Sequence, residues 1–89
     1  MTNLTNKETA ALTYLVGEAE FEGSEFNFCD AIPQDVAKAC GWDMQATGGV
    51  LSSLEKKGLI QMDELEVYNP MPKTITEIVV HESAEELVA

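Results

Sequence analysis

Side chains that commonly do chemistry are sparse in this chain. His81 is the single histidine and stands beside Glu82 on an expected strand. A histidine next to a carboxylate moves protons usefully only when a nucleophile or substrate group lies within hydrogen-bond reach. No serine or cysteine motif surrounds this one, so it reads as half of a surface ion pair. Cys29 and Cys40 have no metal-ligand spacing, and no cluster of Cys, His, Asp or Glu has the spacing of a zinc or calcium site. They read as free thiols in a reducing compartment, filling small apolar positions. The glycine pair Gly48-Gly49 lies inside a helical pattern, not after a strand as a phosphate loop requires. No enzymatic activity, cofactor or metal is expected.

Charge carries more information. The 89 residues include five lysines, no arginine and sixteen carboxylates, for a net charge of -11. Lysine and arginine contacts to phosphate supply most non-specific DNA affinity, and bidentate arginine is the commonest reader of guanine. Five lysines neutralise at most about five phosphates. Two acidic runs stand out, Glu18, Glu20, Glu22 and Glu25, and Asp63, Glu64 and Glu66. Their plain reading is a solvated face that keeps a small protein soluble. Their sharper reading is phosphate mimicry, an acidic inhibitor occupying a basic site on a nucleic-acid-binding protein.

The elements that would position these groups follow from periodicity and caps. Thr5 with Glu8 forms a capping box for a first helix over about 6–20, with Leu12, Leu15, Val16 and Ala19 as its inner stripe. Phe26 and Phe28 alternate with polar neighbours as in a short strand. Pro33 opens a second helix that buries Val36, Ala37 and Cys40 and ends at Gly41. Asp43 caps a third helix with inner face Thr47, Val50, Leu51 and Leu54, stopped by Gly58. Lys56 and Lys57 suit its C-terminal dipole. Residues 59–62 and 75–80 read as two hairpin strands, with a wing over 63–74 and its tip near Asn69-Pro70-Met71-Pro72. A short tail helix from Ser83 to Val88 would be capped by Ser83. The expectation is one α+β domain over 1–89, with three helices and a two-stranded β-wing.

Residues 36 to 60 resemble the helix-turn-helix of MarR-like winged-helix regulators, and the small winged-helix proteins of phage genomes in particular. The resemblance rests on Val36-Ala37, on Gly41-Trp42 in the turn, on the Asp43 cap, and on the run Leu54-Glu55-Lys56-Lys57-Gly58-Leu59-Ile60. It implies transcription control, with the third helix in the DNA major groove and the wing beside the minor groove. The exposed side of helix three would then present Gln45, Ala46, Gly48, Gly49, Ser52 and Ser53, and the wing Asn69 and Lys73. No cation lies on that helix face. Small residues there leave a smooth strip that suits close approach by another protein. A protein partner or a weak DNA operator contact is expected, from a monomer or homodimer. No apolar run approaches the ~20 residues that cross a membrane, and the first residues lack the pattern of a secretory signal, so a cytoplasmic protein is expected.

Overall fold

The computed structural model describes residues 3–68 and 71–88. Helix α1, Asn6–Glu18, starts with the anticipated capping box. The Thr5 N–H donates to Glu8 Oε1 at 2.8 Å, and the Glu8 N–H donates to Thr5 Oγ1 at 3.1 Å. The helix ends two residues before Glu20 because the chain changes partners. Ala19 bridges to Cys29, and the Glu20 N–H donates to the Phe28 carbonyl at 2.9 Å. Its buried stripe is Glu8, Ala11, Leu12 and Leu15. The expected stripe was set one helical turn too late, since Val16 and Ala19 are half-buried.

Helix α2, Pro33–Cys40, and helix α3, Met44–Lys56, form the helix-turn-helix. Asp35 accepts the Ile32 N–H at 3.1 Å ahead of α2, and Gly41 ends the helix with φ 73°. Val36 and Ala37 are buried, but Cys40 is half-buried, not fully enclosed as expected. Asp43 caps α3 by accepting the Ala46 N–H at 2.7 Å. Thr47, Leu51 and Leu54 face the core, with Val50 half-buried beside them. At the other end the Gly58 N–H reaches the Glu55 carbonyl at 3.0 Å and the Leu59 N–H reaches the Leu54 carbonyl at 3.2 Å. That pair of bonds closes a helix through a left-handed residue, and Gly58 has φ 75°.

Strands β1, Phe26–Phe28, β2, Ile60–Val67, and β3, Lys73–His81, make an antiparallel sheet in the order β1-β3-β2. The two-stranded wing is thus extended by β1, which pairs Asn27 with Val80. Asn27 is the member of β1 that points inward, whereas Phe28 is 50% exposed. Both hairpin strands exceed their expected lengths. Most of the wing is ladder, running from Asp63↔Glu77 to Val67↔Lys73. Alternation through Glu64-Leu65-Glu66-Val67 and Thr74-Ile75-Thr76 supports pairing there. Asn69 and Pro70, at the expected tip, lie outside the described residues.

Helix α4, Ala84–Val88, packs on α1, with Ala84 fully buried. Ser83 is committed elsewhere than to its expected cap: its hydroxyl lies 2.8 Å from His81 Nδ1, and its N–H donates to the same nitrogen at 3.1 Å. One apolar cluster, built from Leu12, Leu15, Val36, Leu51, Leu54, Ile60, Ile78 and Val80 among others, joins the helices to the inner sheet face. Such burial is the main favourable term in folding.

Candidate functional site

The exposed side of α3 is set by its buried side. With Thr47, Leu51 and Leu54 inside, Gln45, Gly48, Gly49 and Ser52 fall at i, i+3, i+4 and i+7 on the opposite stripe, and all four are exposed. A Cβ added at Gly48 or Gly49 would meet open space. The fold itself therefore has no need of glycine at either position. Ala46 flanks the stripe, half-buried, with its N–H held by Asp43.

Ser53 belongs to a different cluster. Its hydroxyl donates to Glu8 Oε2 at 2.6 Å, while Lys57 Nζ donates to Glu8 Oε1 at 2.7 Å and to the Asn3 carbonyl at 2.8 Å. Glu8 is buried, at 2% exposure. The Lys57 ammonium, then the Ser53 hydroxyl and the Thr5 N–H, hold its carboxyl at about 2, against a usual 4.5. The sequence placed Ser53 on the contact face and Lys57 on the helix dipole. Ser53 instead locks α1 to α3, and Lys57 does so from the C-cap of α3, where its charge also suits the helix dipole.

Between the α3 stripe and the hairpin runs a groove of about 320 Å³, lined by Pro33, Gly48, Leu51, Ser52, Glu55, Met62, Glu64 and Thr76. Its charged members are Glu55 and Glu64. Glu55 also ties the helix to the sheet, accepting the Met62 N–H at 3.0 Å. Lys73 sits away from this groove, in a hollow at the wing end with Glu66, Tyr68, Pro72 and Thr74. The structure thus brings Gln45, Gly48, Gly49 and Ser52 together, leaves Lys73 apart, and adds Glu55 and Glu64. Glu55 lies three residues beyond Ser52 and seven beyond Gly48, a spacing that could have revealed it.

The remaining reactive groups stand apart from that face. His81 Nε2 faces Glu25 Oε1 at 3.8 Å, so the expected partner Glu82 is replaced by a residue brought in by β1. The imidazole also meets the Phe26 ring edge-on at 5.0 Å. Cys29 is buried, donates to the Leu15 carbonyl at 3.4 Å, and has its thiol pushed up to about 11 by burial. Among the described residues no group of His, Cys, Asp or Glu could hold a metal ion, and no helix is long and apolar enough to cross a membrane.

Among solved structures, the chain is similar to the crystal structure of a MepR mutant from a multidrug resistant S. aureus clinical isolate, with a TM-score of 0.68 and 22% identity. The match covers 96% of this chain and 52% of that one, so the chain spans about half its length. This likeness shows the winged helix-turn-helix fold. No family model and no curated protein matches the chain.

Proposed function

We propose that this is a small acidic winged-helix regulator of MarR-like type, acting in transcription control through α3 and the wing by contact with a protein partner. The observation that carries this reading is the groove beside α3. Where phosphates would approach a DNA-reading helix, the charged lining is Glu55 and Glu64, and the exposed stripe offers Gln45, two glycines and Ser52. With Lys57 bound to Glu8, the other lysines are Lys7, Lys38, Lys56 and Lys73, and none lines the groove. A contact face so poor in cations leaves DNA a weak ligand at most. The open glycine stripe favours close approach by a protein backbone or helix instead.

The same groove supports a second reading, an acidic mimic that occupies a basic site on a nucleic-acid-binding protein. Glu64 and Glu66 project from one face of β2, with Glu64 opposite Glu55 across the groove. Carboxylates in such a row suit a cationic counter-surface.

Fluorescence anisotropy with labelled duplex DNA at about 50 mM salt, where attraction is least screened, tests the operator alternative. No saturable binding is expected from the natural chain. Gly49→Arg adds a cation on the stripe without a clash and should gain DNA affinity while losing the protein partner through overpacking, at about 1–3 kcal/mol. Tight, salt-dependent binding of duplex DNA by the unaltered protein would overturn the proposal.

A further inference from the structure

The central strand of the sheet is covered on one side for only part of its length. β1 pairs with β3 at Val79, Val80 and His81 and then leaves, as Cys29 bridges to Ala19 and Ala31 enters the core. Beyond Val79, no strand covers that edge among the described residues. The direction of its backbone groups follows from two bonds: the His81 N–H donates to Leu59 on the β2 side, and the Glu82 N–H donates to Glu25 on the β1 side, each at 2.8 Å. Successive residues alternate, so Thr74 and Thr76 turn their N–H and C=O outward. An open edge of this kind is a template for another strand.

Alongside it lies a cleft of about 330 Å³, separate from the groove at α3 except for a shared Thr76. Its apolar lining includes Phe28, Ile32, Leu65 and Ile75, of which Phe28, Ile32 and Leu65 are 50%, 37% and 42% exposed. Its charged lining is Asp30, Asp35 and Glu77, with no cation among the described residues.

We infer that this cleft takes an extended segment of a partner protein that alternates basic and aliphatic side chains and adds as a strand to the outer edge of β3. Each requirement comes from a different part of the site. The unpaired groups of Thr74 and Thr76 need main-chain partners in extended form, the apolar wall takes alternate aliphatic side chains, and the three carboxylates select lysine or arginine. A nucleic acid would set phosphates against those carboxylates. A second copy of this chain would bring its own Asp30, Asp35 and Glu77 to the same rim, where like charges repel.

The test uses isotope-labelled protein and a short capped peptide alternating lysine and valine, beside a control with glutamate in place of lysine. Saturable amide shifts are expected at Thr74, Thr76, Phe28 and Ile32, with slowed exchange at Thr76, and the glutamate peptide should bind about tenfold more weakly. The double variant Asp30→Lys/Glu77→Lys should reverse that preference. It should also fold, because Glu77 lies directly opposite Asp63 in the ladder and its reversal removes a like-charge pair. The cleft contains no residue of the exposed α3 stripe, so failure here is separate from failure of the α3 reading. Equal binding of the two peptides, shifts that omit Thr74 and Thr76, or undiminished lysine-peptide affinity in the folded double variant would each overturn the proposal.

Discussion

The carboxylate of Glu8 and the ammonium of Lys57 meet at 2.7 Å, joining the first turn of α1 to the end of α3 across 49 positions of sequence. The pair holds α3 in place against the start of α1. Because the Glu8 carboxyl sits at about 2 in the folded chain against a usual 4.5, its stabilisation is fully present above about 4.5 and is lost as pH falls toward 2. Urea unfolding across that window should show stability declining with acid. Lys57→Met should flatten the decline and cost on the order of 1.5–3 kcal/mol at neutral pH. An unchanged acid profile in the variant would remove Lys57 from this role.

Leu54 is fully buried on the inner face of α3. Leu54→Ala should lower unfolding free energy by on the order of 2–5 kcal/mol, read from denaturant midpoints at constant slope. A neutral result would mean that α3 is rotated relative to the arrangement described.

Asn27 spends its side chain on three backbone groups: Oδ1 accepts the Glu22 N–H at 3.0 Å, and Nδ2 donates to the Ser24 carbonyl at 2.9 Å and the Val80 carbonyl at 3.4 Å. Asn27→Ala should destabilise by about 1–3 kcal/mol, since three backbone groups lose a partner and one of them, the Val80 carbonyl, is buried. Amide exchange should quicken first at Glu22.

The thiols should differ in reactivity. Cys29 is buried with its thiol pushed up to about 11, whereas Cys40 is half-buried. Alkylation of the native protein near neutral pH, followed by mass spectrometry, should label Cys40 on the order of tenfold faster than Cys29. Equal rates would contradict the burial of Cys29.

Local signals carried the helices well. The Thr5–Glu8 box, Pro33, the Asp43 cap and the glycines at 41 and 58 each specify a backbone position from their own chemistry, and the structure puts helix ends there. Glu8 escaped because one residue does two jobs. It completes the cap and also begins the buried stripe Glu8, Ala11, Leu12, Leu15, and a carboxylate drops out of any count of apolar spacing. Its partner is distant in sequence, so nothing local announced the pair. For β1 the alternation gave the period but not the face, and its pairing with β3 is a long-range choice invisible to a window of neighbours. On the exposed side of α3, the stripe at Gln45, Gly48, Gly49 and Ser52 was legible because the helix period forces it. Ser53 was misplaced by a single position, which is a rotation of about 100° around the helix axis.

The partial cover of β3 by β1 also divides the hairpin into two units of different durability. At the root, Ile60 and Val80 are fully buried, and Val80 sits between strands on both sides. Backbone groups there exchange with solvent only when the whole domain core opens. From Asp63↔Glu77 outward each rung has a single neighbour and mostly solvated side chains, so it opens by itself at much lower free energy. The hairpin is in effect a cantilever clamped at one end: its outer arm should open without loosening the clamp that holds the core in register.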